Sequence, residues 1–157
     1  MEQFSHHAAL ASPGATDTFA TCLGARLLPG DVILLEGPIG AGKTHFARAL
    51  IQSILTVPED VPSPTFTLVQ TYDTTRGEVW HTDLYRLLHP DDIEELGLPE
   101  AMTDAICLIE WPDRLGSLRP DGALSLDFAT TEAEDARTLT LTWQHDKWNE
   151  RLMGCLP

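Results

Sequence analysis

Apolar positions at Phe19, Leu23 and Leu27 recur every four residues, and Cys22 joins the same side, which predicts a helix over 15–28. Pro29-Gly30-Asp31 supplies turn chemistry. Val32-Ile33-Leu34-Leu35 is a short unbroken apolar run, the pattern of a strand buried on both faces of a parallel sheet. Glycines crowd residues 37–42, and Phe46, Leu50 and Ile54 then mark one face of a helix from about Lys43 to Leu55. The prolines in Val61-Pro62-Ser63-Pro64 hold that segment extended, because each restricts the residue before it.

Two strands are predicted next, Phe66 to Tyr72 and Glu78 to Asp83, joined by a polar turn from Asp73 to Gly77. His89-Pro90-Asp91-Asp92 predicts the start of a short helix that stops at Gly97. Ala105 to Ile109 is a second buried apolar strand, ended by Glu110 and Pro112. Ala123 to Phe128 and Thr138 to Trp143 predict a hairpin at the sheet edge, and 146–153 a last helical stretch. Residues 1–14 are weakly patterned, so a flexible N-terminus is expected, with one domain from 15 to 157.

The length, 157 residues, suits one domain with a sizeable core. No apolar run approaches the roughly 20 residues that span a bilayer. Residues 1–7 lack the basic and apolar regions of a secretory signal, so a cytoplasmic protein is expected. Cys22, Cys107 and Cys155 are far apart and form no CxxC pair; three unpaired thiols in a reducing compartment are expected, without a zinc site or a disulfide framework. The histidines show no metal-ligand spacing and read as core or surface residues, although His81 and Asp83 share a strand face. A formal charge of −14 disfavours direct nucleic-acid binding, which draws its affinity from Lys and Arg at phosphates.

Residues 37–44, Gly-Pro-Ile-Gly-Ala-Gly-Lys-Thr, complete the G-x-x-x-x-G-K-[ST] pattern between a buried strand and an amphipathic helix. Gly37, Gly40 and Gly42 let backbone N–H groups turn toward phosphate oxygens, with Ile39 and Ala41 in the same loop. The following helix adds free N–H groups and the positive end of its dipole. The pattern assigns Lys43 to the β- and γ-phosphates and the Thr44 hydroxyl to Mg²⁺. Two acids stand at strand ends, Glu110 and Asp83. One supports the metal and the other orients a water at the γ-phosphate; Glu110 is favoured for the metal and Asp83 for the water or for metal through water, and the sequence leaves that assignment open. Thr65 is placed as a γ-phosphate sensor and Trp111 as a lid on the nucleotide, while Arg86 suits either a phosphate or a surface carboxylate.

Four blocks occur in order: 37–44, Ser63-Pro64-Thr65-Phe66, His81-Thr82-Asp83-Leu84-Tyr85-Arg86 and Leu108-Ile109-Glu110-Trp111. Together they resemble the TsaE (YjeE-type) ATPases of bacterial tRNA threonylcarbamoyladenosine synthesis, over about residues 15–143. The resemblance implies an α/β, P-loop NTPase-like three-layer fold, with a mostly parallel central sheet and antiparallel edge strands. It implies a weak Mg-dependent ATPase, activated by TsaB- and TsaD-type subunits. Those assemble threonylcarbamoyladenosine at position 37 of tRNAs reading codons that start with adenine, so tRNA is met only through the complex. The family's binding and hydrolysis roles fall on Lys43, Thr44, Asp83 and Glu110, and the loop contact after Thr44 falls on His45. Pro38-Ile39 and His45 stand where the family commonly has Asp-Leu and Thr. A small-molecule kinase is the other enzyme reading of such a loop, but ten Lys plus Arg and no arginine-rich segment leave little for a lid. A nucleotide-dependent binding module without turnover is a third.

Overall fold

The computed structural model describes residues 2–157. The described residues form seven strands and five α-helices, in the order β1 (Phe4–Leu10), α1 (Pro13–Gly24), β2 (Val32–Glu36), α2 (Lys43–Ile54), β3 (Val69–Thr74), β4 (Gly77–Asp83), α3 (Asp92–Glu95), α4 (Leu98–Asp104), β5 (Ile106–Glu110), β6 (Leu124–Thr130), β7 (Arg137–Trp143) and α5 (Lys147–Leu152). A 3₁₀ segment, Pro112–Leu118, follows β5. The strands form one sheet in the order β1-β7-β6-β2-β5-β4-β3. The central pairs β6/β2, β2/β5 and β5/β4 are parallel; the outer pairs β1/β7, β7/β6 and β4/β3 are antiparallel.

Strand parity splits the core into two faces. Ile33 and Leu35 of β2, with Ile106 and Leu108 of β5, face a cluster that includes Phe19, Leu23, Phe46 and Leu50 of α1 and α2. Val32 and Leu34, with Cys107 and Ile109, face Leu84, Ile93, Leu98 and Leu115 on the other side. Both faces of β2 and β5 are therefore covered, which is why they read as continuous apolar runs. The expected three-layer α/β architecture is present.

The residues 1–14, expected to be mobile, instead carry β1 from Phe4 on; Met1 lies outside the described residues. Phe4, His6, Ala8 and Leu10 alternate with more exposed positions, a period-two signal too polar to stand out. β1 pairs with β7 along its whole length, so the predicted edge hairpin β6–β7 is interior and β1 forms the edge. Phe66 was expected in a strand, but 65–67 make a turn in which the Leu68 N–H reaches the Pro64 carbonyl (2.7 Å), and β3 starts at Val69. The first helix ends at Gly24 rather than 28, and α4 follows Gly97 over residues to which the sequence pattern assigned no element.

The expectation of three unpaired thiols is corrected as well. Cys22 and Cys155 form a disulfide across 133 residues of sequence, because α1 and the segment after α5 lie side by side. Cys107 stays free and buried in the second core face, which pushes its thiol up to about 12. α5, of unreadable role in the sequence, packs the fully buried Trp148 against the core, and its Arg151 and Lys147 pair with the buried Asp31 at 2.6 and 3.2 Å. Among the described residues no helix is long and apolar enough to cross a membrane.

Candidate functional site

β2 ends at Glu36 and the chain must then turn sharply into α2. Gly37 lies against β6: with φ of 131°, a Cβ there would sit 2.3 Å from the Phe128 carbonyl oxygen. Gly40 and Gly42 also hold positive φ, 82° and 108°, and Gly42 begins α2 without a side-chain cap. The Ala41 N–H bonds the Pro38 carbonyl, closing the turn, while Ile39 stands 74% exposed at its lip. From the start of β7, Arg137 donates to the carbonyls of Gly40 and Ala41, both at 3.2 Å, and so ties the loop's carbonyls outward.

α2 then begins under the ends of β4 and β5, and parity aims the acids at it. Val79, His81 and Asp83 alternate along β4, as Ile106, Leu108 and Glu110 do along β5, on the face that covers α2. Asp83 and Glu110 are direct neighbours in the parallel register. The Thr44 hydroxyl donates to Glu110 Oε1 at 2.8 Å. His81 Nε2 lies 2.8 Å from Glu110 Oε2. Asp83 Oδ1 accepts the Tyr85 N–H at 2.9 Å, and Oδ2 accepts the Thr65 hydroxyl at 3.3 Å. Thr65 in turn lies 2.7 Å from the Ser63 hydroxyl.

Lys43 is buried beneath this pair. Its ammonium donates to the Gly37 carbonyl at 2.6 Å and sits 3.4 Å from the centre of the Trp111 ring. Burial lowers the Lys43 pKa from its ordinary value, against the pull of Glu110 and Asp83. Burial also raises the Asp83 pKa; the Tyr85 N–H opposes that rise and the charge of Glu110 adds to it. Trp111 itself adopts a left-handed backbone (φ 59°) directly after β5, which turns its ring toward Lys43 and against Tyr85, 4.9 Å between centres. Arg86 is exposed and stacks on Phe66 at 4.5 Å, with no carboxylate partner among the described residues.

These residues line one cavity of about 570 Å³, within the range of small-ligand sites. It brings together Ile39, Gly40, Gly42, Lys43, Thr44, His45, Thr65, Asp83, Glu110 and Trp111. Gly37 and Ala41 shape the loop from behind it. His45 points partly away, its Nε2 lying 2.8 Å from the Asp17 carboxylate of α1 without an aligned hydrogen bond. The cavity also has a far end that the sequence did not disclose, formed by Pro13 and Thr16 of α1 with Asp135 and Arg137. No local motif marks those four; they meet only because α1 and the β6–β7 turn flank the loop. His81 did carry a signal, its shared strand face with Asp83, but the partner it serves lies on β5.

The strand order, the glycine loop between β2 and α2, and the two acids on strands beside it define a nucleotide-binding α/β protein of the P-loop NTPase-like class. The comparisons with known proteins agree. The chain belongs to the family described as threonylcarbamoyl adenosine biosynthesis protein TsaE, whose model matches residues 10–139. It is 36% identical to the tRNA threonylcarbamoyladenosine biosynthesis protein TsaE of Rickettsia bellii over 142 residues, covering 90% of this chain and 98% of that one. The protein of the same name from Bacillus subtilis is 34% identical over 132 residues, 83% of this chain and 81% of the relative. The crystal structure of YdiB from Bacillus subtilis superposes with a TM-score of 0.77 at 24% identity, covering 99% of this chain and 96% of that one, and supports the fold.

Proposed function

We propose that the protein is a weak Mg-dependent ATPase serving threonylcarbamoyladenosine formation at position 37 of tRNAs that read codons starting with adenine. It works in the cytoplasm with TsaB- and TsaD-type subunits and meets tRNA through them. Family membership supports the pathway. The observation that carries the chemistry is the Thr44–Glu110 hydrogen bond (2.8 Å) beside a buried Lys43 at the start of α2.

The oxygen donors fit Mg²⁺. Thr44 supplies a hydroxyl, Glu110 a carboxylate and Asp83 a second carboxylate one strand away. Among the described residues there is no cluster of three or more His, Cys, Asp or Glu side chains that could hold a metal alone. That suits a cation completed by phosphate oxygens and water rather than by a protein cage. Thr44 and Glu110 would hold the ion, which when bound supplies positive charge at the phosphates. The N–H groups of Ile39, Gly40, Gly42, Lys43 and Thr44, with the Lys43 ammonium, bind the phosphate chain; Pro38 has no N–H to give, and that of Ala41 is taken by the Pro38 carbonyl. Asp83, raised in pKa and held by Thr65 and Tyr85, orients the attacking water and accepts hydrogen bonding from it. Thr65 couples the 61–68 segment to that acid. Trp111 covers the Lys43 ammonium and packs against Tyr85.

Phosphate release from ATP tests the reading, measured on the pure protein and again with both partner subunits. Release that rises with the partners, together with tRNA modification that requires this chain, is the expected result. Phosphate appearing on an added metabolite would replace the reading with a kinase.

A further inference from the structure

Glu110 is a buried carboxylate, 2% exposed, and each of its oxygens is held by a different element. Oε1 accepts from the Thr44 hydroxyl on α2, and Oε2 lies against His81 Nε2 on β4, both at 2.8 Å. His81 is fully buried and makes no other side-chain hydrogen bond; its Nδ1 has no partner. Of the two ring nitrogens only Nε2 has a partner among the described residues, and 2.8 Å to Glu110 Oε2 is hydrogen-bond distance. A histidine placed merely to fill the core would be an expensive choice, because a buried ring nitrogen without a partner costs stability. Leucine occupies the neighbouring inward position on β5, Leu108, which pairs with His81 in register. The imidazole therefore sits where an aliphatic side chain would pack, and its one polar contact is with the acid beside Thr44.

We propose that His81 is a positioning residue that aims Glu110. By engaging Oε2 it fixes the carboxylate's rotation, so that Oε1 is presented at the Thr44 hydroxyl. This rests on the reading of Thr44 and Glu110 as the magnesium-holding pair. Without the His81 contact, Glu110 keeps its Thr44 partner but loses its fixed rotation, and the magnesium-linked part of nucleotide affinity falls by about 10- to 100-fold.

The test is calorimetric titration of the full chain with ADP, once with excess Mg²⁺ and once in EDTA. The ratio of the two affinities reads the metal-linked gain, and any change shared by both titrations is folding or packing. The variants are His81→Gln, whose amide N–H reaches the place of Nε2, and His81→Asn, which is equally polar but too short. His81→Leu adds the apolar case, with thermal melting as the check on folding. The expected result is a near wild-type gain in His81→Gln and a gain cut about tenfold or more in His81→Asn. Equal gains in Gln and Asn variants, whether both kept or both lost, overturn the proposal and leave the magnesium site standing. A wild-type chain that binds ADP equally well with and without Mg²⁺ overturns the magnesium site and the proposal together.

Discussion

The two rims of the cavity are built in opposite ways. On one side the loop from Gly37 to Thr44 is locked from every direction: Gly37 against Phe128, the Gly40 and Ala41 carbonyls on Arg137, Lys43 on the Gly37 carbonyl, and Thr44 on Glu110. On the other side the 61–68 segment is anchored at its ends, the Val61 carbonyl to Arg48 at 2.9 Å and the Leu68 carbonyl to the Asp83 N–H at 2.8 Å, but its middle is loosely held, by Thr65 to the Asp83 carboxylate at 3.3 Å, and leaves Phe66 82% exposed. A locked rim suits binding, because its donors are ordered before the ligand arrives. A loosely held rim suits a segment that must respond to the state of the ligand. On the proposed function, the contrast separates affinity, assigned to the loop, from turnover, assigned to Asp83 and what holds it.

Substitutions on each rim can break that separation. The largest effect is expected for Asp83→Asn: ATP turnover falls about 100-fold or more, within the range for loss of a general base, while calorimetric nucleotide affinity changes little. Equal losses in both would merge the two rims into one. Lys43→Ala is the mirror case, with nucleotide affinity falling about 100-fold through loss of a charged donor to the phosphates. Gly37→Ala should lower stability by about 2 kcal/mol, read as a drop in melting temperature, because the added Cβ meets the Phe128 carbonyl at a positive φ. Phe66→Ala is expected to change stability by less than about 0.5 kcal/mol, since an exposed ring on the loose rim contributes little to the fold.

The smallest effect is one of pH. Burial raises the Asp83 pKa above 3.8, so the folded chain binds the proton more readily than the unfolded chain. Stability from this group is therefore present at low pH and declines as pH rises through the raised value. Asp83→Asn removes that decline: melting curves at about pH 4 and about pH 7 should show the variant gaining on the wild type at the higher pH.

Much of this was legible locally. The glycine loop needs positive φ and close backbone approach, so its pattern names its geometry wherever it occurs. The buried runs 32–35 and 105–109 placed two parallel strands, and the acids that end β4 and β5 fell where strand termini meet the loop. The β1 strand was hidden because alternation of Phe, His, Ala and Leu with polar residues is weak until β7 is there to pair with it. The turn at 65–67 was masked by apolar residues that resemble a strand.

The residue types, their spacing and the strand-loop-helix order determined the glycine loop and its place between β2 and α2, since those constraints act locally along the chain. Contacts between segments distant in sequence were decided by the fold. Cys22 reaches Cys155, Arg137 reaches the loop, and α1 supplies Pro13 and Thr16 to the far end of the cavity. The pairing of His81 with Glu110 belongs to the same class: a period of two sets which face each side chain takes, but only the parallel register of β4 and β5 sets which partner it meets.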